Sequence, residues 1–352
     1  MLQLERSRKV LAPRGHRQGG FTLIEMLIAM MILLAVAGIV MSGMVQMMFV
    51  QGSVANRSEM HSSVRSATEL LQQEIGQAGR ATLPAPVTMS TPVVIPPGTQ
   101  GTGVTQTVSV SSTTGMFNGE YLVVDTGADQ ETVQISGLTP TTFTATFYYS
   151  HPTVVGATSW PVTVQGAFIT GIVPPDKVNT SVAGLPLVPN TNASGVLVGS
   201  TGTKLKLYGD INGDGNMVYI EYTCDTSIVP GNLYRNVIPV PAEGVTITKP
   251  GVNPSKIVLS NILANPPDTN GNAVPCFTYQ EKQLGQNVFV LNVAVTLTVQ
   301  TPLQDPKTHV FQTETKALLN VSPRNVFEAW QLVSGNSSNR AQPMPSSVAN
   351  LL

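Results

Sequence analysis

Five oxygen-bearing side chains stand at the spacing of a calcium loop. Asp210, Asn212, Asp214 and Asn216, with Glu221 at the twelfth place, fit the order D-x-N-x-D-G-x₅-E, and Gly215 sits where the sharp turn is needed. Hard oxygen ligands at alternate positions can wrap Ca²⁺. The flanks KLKLYG (204–209) and MVYIEYTC (217–224) are strand-like, however. The same run therefore also reads as a β-hairpin turn, where Asn-Gly and Asp-Gly are favoured. In a strand Met217, Tyr219 and Glu221 share one face, and Glu221 need not turn back toward an ion. Both readings stand at this level, and calcium is the one cofactor indicated.

Cys224 and Cys276 are the two cysteines of the chain. In an exported protein such a pair reads as a single disulfide; the alternative is two buried, unpaired thiols. Closing a loop of about 50 residues stabilises by roughly 4 kcal/mol on the chain-entropy view. Catalytic constellations are not evident. His16, His61, His151 and His309 are scattered, and no H-E-x-x-H, C-x-x-C, G-x-S-x-G or phosphate-binding glycine loop occurs. The expectation is a protein without enzymatic activity.

Glu25 is the most informative single residue. From Phe21 to Val50 the sequence runs FTLIEMLIAMMILLAVAGIVMSGMVQMMFV, with Glu25 its only charge. About 20 apolar residues suffice to cross a bilayer. A carboxylate there costs roughly 2.5–3.5 kcal/mol on insertion scales, so it normally has a partner or a task. One reading makes Glu25 an interfacial residue reaching headgroup water. The other pairs it with a positive α-amino group created at Phe21 by cleavage after Gly20, in the same or a neighbouring subunit. A secretory signal would be cut beyond its apolar run. Here the small pair Gly19-Gly20 precedes the run, so cutting there leaves the apolar segment on the mature chain.

The elements that must position these residues follow from pattern. Residues 1–20 carry Arg6, Arg8, Lys9, Arg14 and Arg17 against Glu5, and basic flanks stay on the cytoplasmic side. The rest of the chain holds fourteen basic and nineteen acidic residues, which argues against binding a nucleic-acid backbone. Charged residues are only 11% of the whole, against roughly 25% in ordinary soluble domains. Beyond the apolar run, Met60, Val64, Ala67, Leu71, Ile75 and Ala78 recur at spacings of three and four, one face of an amphipathic helix. Gly79 and Pro84 are its stops. A helix from Phe21 to about Arg80 would be roughly 90 Å long.

From Val87 onward strands and turns dominate. TQTVSVSS (105–112), EYLVVDTG (120–127), ETVQISGL (131–138) and TTFTATFYY (141–149) alternate polar with β-branched or aromatic residues. Residues 174–203 read as long loops. Strands resume at 204–209, 217–224, 232–239 and 256–263, and runs 287–302 and 307–326 read as a hairpin across Gln304-Asp305-Pro306. The expected architecture is α+β: a long N-terminal helix, then a mainly antiparallel β domain carrying a β-rich insertion. Its parts are a cleaved leader (1–20), the helix (21–83, with 21–50 spanning the membrane), the insertion (84–173), the C-terminal β domain (174–326) and a flexible tail (327–352).

Gly19-Gly20-Phe21-Thr22-Leu23-Ile24-Glu25-Met26 resembles the processing site of type IV prepilins and type II secretion pseudopilins. That resemblance implies cleavage between Gly20 and Phe21 by a membrane-embedded prepilin peptidase, N-methylation of Phe21, and subunit docking through Glu25. The leader is longer than in many major pilins, as in some pseudopilins and minor pilins. The stretch Arg65–Gly79, the order Tyr219, Tyr222 and then Leu233-Tyr234-Arg235, and the close at Pro323-Arg324-Asn325 resemble PilW-type minor pilins. The resemblance covers about 20–83 and 204–326 and leaves 100–165 unaccounted for. It implies an inner-membrane protein with a periplasmic β domain that later joins a pilus fibre or tip. The implied partners are the peptidase, other minor and major pilins and inner-membrane lipid. A minor pseudopilin, or an adhesin using 100–165 as its binding module, are the rival readings.

Overall fold

The computed structural model describes residues 20–352 except 82, 84–85, 99–100, 152–159, 164–166, 176–197, 241–244, 246, 250, 252, 254–255, 285–286 and 318–319. The leader up to Gly19 and most of the expected 174–203 loops lie outside the described residues.

Helix α1 (Leu23–Gln77) is 55 residues long and has two unlike halves. Residues 20–51 are exposed throughout, and among the described helices this one alone is long and apolar enough to cross a membrane. The second half buries the stripe Met60, Val64, Ala67, Leu71, Ile75 and Ala78 against the β domain. The helix stops short of the expected 80–83. Gly79 adopts φ +90°, and a Cβ there would lie 2.8 Å from the carbonyl oxygen of Ile169. Its N–H donates to the Tyr208 carbonyl at 3.1 Å, and its own carbonyl accepts from Ile169 at 2.7 Å. Glycine is thus required where the chain turns off the helix and crosses the sheet.

The strands that follow are β1 (Arg80–Ala81), β2 (Val87–Met89), β3 (Val104–Ser109), β4 (Tyr121–Val124), β5 (Glu131–Gln134), β6 (Thr142–Phe147), β7 (Trp160–Thr163) and β8 (Ala167–Phe168). The later ones are β9 (Lys204–Gly209), β10 (Val218–Asp225), β11 (Gly231–Pro239), β12 (Ile257–Leu263), β13 (Phe277–Leu284), β14 (Asn287–Gln300) and β15 (Thr313–Ala317). Two helices, α2 (Arg324–Ser334) and α3 (Ser346–Ala349), close the chain. All pairings between these strands are antiparallel. The fold is α+β.

The main sheet has the order β13-β14-β12-β11-β10-β9, with β15 on β14 as the expected hairpin partner. Alternation along β10 sends Val218, Ile220, Tyr222 and Cys224 to the α1 face, and Tyr219 to the opposite face. The first set joins Leu205, Leu207, Leu233, Phe289 and Val293 in the principal core under α1. The insertion has its own core of Met89, Val108, Leu122, Val124, Ile135, Phe143 and Phe147. It comprises a four-stranded sheet, β2-β7-β4-β5, and the pair β3-β6. Its expected boundary at 173 falls inside the main domain: β8 pairs with β1, and Ile169, Ile172 and Val173 are buried in the cores of the main sheet.

The C-terminal tail differs most from expectation. Residues 327–352 were expected to be flexible, and instead they pack. Val326 and Ala329, three apart on α2, enter the principal core. Met344, Val348 and Leu351 cover Tyr208 and Tyr219 on the far face of the sheet. Gln342 accepts a hydrogen bond from the Tyr121 N–H at 2.7 Å and donates to the Tyr121 carbonyl at 2.8 Å. A few apolar residues at helical spacing and one amide side chain suffice to order a segment that is polar in composition.

One buried ion pair ties helix to sheet. The Glu74 carboxylate on α1 accepts from Arg235 on β11, Nε to Oε2 at 3.0 Å, and from the Tyr222 hydroxyl on β10. Burial lowers the tendency of Arg235 to be charged, but Glu74 outweighs it and raises the guanidinium above its ordinary value. Removing one member of such a pair leaves the other charge without its partner. Glu74→Ala is expected to lower unfolding free energy by about 3 kcal/mol, read by chemical denaturation of the detergent-solubilised chain. The double variant Glu74→Leu, Arg235→Met should recover most of that loss; equal damage in single and double variants would contradict the account.

Candidate functional site

The processing segment is built by a helix N-terminus. Thr22 is the N-cap of α1 in an extended conformation. The Glu25 N–H donates to Thr22 Oγ1 at 3.4 Å, and Glu25 Oε2 accepts from the Thr22 N–H and from Thr22 Oγ1, both at 2.9 Å. This is a capping box, in which two orphan N–H donors are satisfied reciprocally. Thr22 was not singled out from the sequence, although the T-x-x-E spacing of Thr22 and Glu25 carries that signal. Phe21, immediately before the cap, is 86% exposed, and Gly20 is also exposed. The Gly20–Phe21 bond therefore lies outside the helix and between two exposed residues. Glu25 reaches Thr22 rather than a charge, and so is already held one residue from the amino group that cleavage would create.

The five residues of the calcium spacing are placed differently from one another. Asp210 follows β9 directly, and its N–H donates to the Arg80 carbonyl at 2.8 Å. Its buried carboxylate lies 3.8 Å from Arg80 Nε. Asp214 accepts the Asn216 N–H at 2.9 Å, an ordinary turn contact. Glu221 sits in β10 opposite Lys206, three rungs beyond the Gly209–Val218 pair that closes the turn. At roughly 3.3 Å per residue that is about 10 Å along the strand. Its carboxylate binds Lys249 and accepts from the Tyr219 hydroxyl at 2.9 Å. Burial would raise its pKa, but Lys249 and Tyr219 hold it below the ordinary value. Strand alternation thus holds Glu221, the twelfth-place residue, on Lys249 and Tyr219 and away from the 210–216 turn. Among the described residues no cluster of three or more His, Cys, Asp and Glu forms a metal site.

Cys224 and Cys276 form a disulfide with Cα atoms 6.5 Å apart. It links the end of β10 to the entry of β13, strands that are not neighbours in the sheet. Both residues belong to the core beneath α1.

Sequence spacing gave no hint of the titratable cluster inside the insertion. His151 is fully buried, with Nδ1 3.0 Å from Asp125 and Nε2 2.8 Å from Glu131. The carboxylates lie 26 and 20 residues away in sequence, so no local pattern announces them. Glu131 also accepts the N–H groups of Tyr148 and Tyr149 at 2.8 and 3.2 Å. Burial pulls the His151 pKa down, but the hydrogen bonds and charges of Glu131 and Asp125 together raise it. Elsewhere in the module Glu120 is 1% exposed, and burial pushes its carboxyl up to about 8 against one hydrogen bond from the Phe117 N–H at 3.2 Å. These buried groups stitch the module together.

The prokaryotic N-terminal methylation motif matches residues 15–41. The chain thus carries a type IV pilin-like N-terminal segment, which implies processing by a prepilin peptidase and assembly with other pilins. No curated protein and no solved structure matches the chain.

The two raised pKa values act with one sign. His151 contributes stability that is present below its unfolded value of 6.5 and is lost as pH climbs through the higher folded value. Glu120 is protonated in the fold up to about pH 8 but ionises above 4.5 when unfolded, so it too costs stability as pH rises across that window. The protection factors of the insertion's amides, each observed rate taken against the intrinsic rate at the same pH, are therefore expected to rise on acidification from about pH 8 to 5. Glu120→Gln should flatten that dependence and raise protection at the alkaline end; an unchanged protection profile would refute the assignment.

Proposed function

We propose that this chain is a minor pilin-like structural subunit of a type IV pilus, of the PilW type, acting in pilus assembly and priming rather than in catalysis. One observation carries the reading most: the first half of α1 is apolar yet wholly uncovered by its own chain, while the second half is packed. An apolar helix surface of that length requires lipid before assembly and other helices afterward. Glu25 then serves as a docking carboxylate, exchanging its Thr22 contacts for the methylated amino group of Phe21 in its own or a neighbouring subunit.

The PilW-type segments give further support because they converge. The Arg65–Gly79 stretch supplies Glu74, the Leu233-Tyr234-Arg235 run supplies Arg235, and the Tyr-rich strand supplies Tyr222, which together form the helix–sheet ion pair. The Pro323-Arg324-Asn325 close supplies Asn325, whose amide donates to the Gln77 carbonyl at 2.9 Å at the end of α1. On this reading the β domain lies on the periplasmic side of the inner membrane before assembly and in the fibre or at its tip afterward.

Mass spectrometry of the membrane-extracted protein is expected to find a mature chain beginning at N-methylated Phe21. Glu25→Val should still be cleaved yet fail to enter sheared pili. An intact leader, or a terminus beyond Val50, would overturn the reading.

A further inference from the structure

The turn of the β14–β15 hairpin, residues 301–312, is fastened to α1 at one fixed height. Asn56 donates to the Leu303 carbonyl at 3.4 Å, Arg57 binds Gln312, and the Gln312 amide donates to Ser53 Oγ at 3.4 Å. A methyl group added at Gly52 would meet Pro306 Cγ at 3.1 Å, so glycine there lets the turn seat against the helix. These are the first points along α1 at which the β domain touches it, directly beyond the uncovered apolar run.

That height can be placed relative to a bilayer. From Glu25 to Gly52 the helix rises about 40 Å at 1.5 Å per residue. A bilayer measures roughly 30 Å across its hydrocarbon and 40–45 Å with its headgroup regions. With Glu25 in the inner headgroup layer, Gly52 and the seated turn lie in the outer one. The turn presents Leu303, Val310 and Phe311, exposed by 65, 61 and 38%. Its acid is turned inward: buried Asp305 accepts from the Lys307 and Thr308 N–H groups at 2.9 and 3.0 Å and from the Gln312 amide at 2.9 Å. Lys307 and Arg57, both exposed, stand where anionic headgroups would meet them. Apolar side chains and exposed cations with the carboxylate withdrawn suit an interfacial layer.

We propose that the 301–312 turn is a second membrane contact, immersing Leu303, Val310 and Phe311 in the outer leaflet of the bilayer beside α1. It sets the β domain close on the membrane before assembly. This rests on the reading that α1 spans the bilayer. The test uses the full chain, with Trp160 and Trp330 changed to Phe, in vesicles of phosphatidylcholine and phosphatidylglycerol. A single Trp is placed at Phe311 (Phe311→Trp), at Val310 (Val310→Trp) or, as a control in the insertion, at Tyr148 (Tyr148→Trp). Lipids brominated near the headgroup end of their chains should cut the emission of the first two about twofold, since interfacial elements reach roughly 5–10 Å below the boundary. Lipids brominated at the chain terminus should quench them less, and the control should keep its emission with either lipid. Protein that floats with the vesicles but shows no quenching at 310 or 311 overturns the second contact while leaving the anchor intact. So does crosslinking of these positions to a neighbouring copy without quenching. Protein that does not float at all overturns the spanning reading itself.

Discussion

Everything in this molecule is arranged around an apolar helical surface that its own chain does not cover. Residues 20–51 are exposed without interruption, and the hydrophobic effect does not let such a surface rest in water. The rest of the architecture answers that constraint. The helix is capped at Thr22, where chain geometry leaves the Gly20–Phe21 bond open, and is gripped by the β domain only from Gly52 onward. Length divides the helix: its first part is apolar and long enough to cross a bilayer, and the remainder packs on the sheet.

The grip must resist sliding and rotation of a long rod, and apolar packing alone is permissive of both. The stripe from Met60 to Ala78 provides area, but area has no direction. Direction comes from a few polar contacts along the same face. His61 pairs with Glu314 at 2.8 Å low on the helix, Glu74 meets Arg235 and Tyr222 near its end, and Asn325 holds the Gln77 carbonyl. Each fixes a register that a hydrophobic stripe would leave loose. Buried ionic contacts are costly to form and costlier to break singly. The value of the Glu74–Arg235 pair here is a single helix orientation on the sheet.

Local pattern made some of this legible and non-local geometry concealed the rest. The helix, its apolar and amphipathic halves and its stop at Gly79 follow from periodicity and one glycine, because helical contacts are local. The β14–β15 hairpin was legible for the same reason: two long alternating runs across a short polar link. The calcium spacing is defined along the chain, whereas strand alternation and Lys249 decide where Glu221 points. The His151 cluster was invisible because Asp125 and Glu131 reach it only through folding. The tail was misread on composition: Asn, Ser, Gln and Pro mark disorder only when no partner surface awaits. Here the exposed face of β9 and β10 awaited Met344, Val348 and Leu351. Thr22 was within reach of sequence reasoning, since T-x-x-E before an apolar run is a capping signature.

The tail also explains how an insertion with a separate core is held to the body rather than left on a tether. The chain leaves α1 through β1, builds the module and returns through β8, and those two strands pair over only Arg80–Phe168 and Ala81–Ala167. Two rungs of ladder make a hinge, not a clamp. The tail adds the second attachment: the Gln342 N–H donates to the Phe168 carbonyl, while its side chain satisfies both backbone groups of Tyr121 at the start of β4. One residue thus joins the hinge strand to the module's own sheet, and it is 3% exposed, so these hydrogen bonds are made away from water. Without it the Tyr121 N–H and carbonyl would lose their partners in a partly buried place, at a cost comparable to the bonds themselves. The last residues of the fold therefore complete two surfaces at once, the outer face of the main sheet and the junction with the insertion. That joins helix, sheet, module and tail through consecutive contacts.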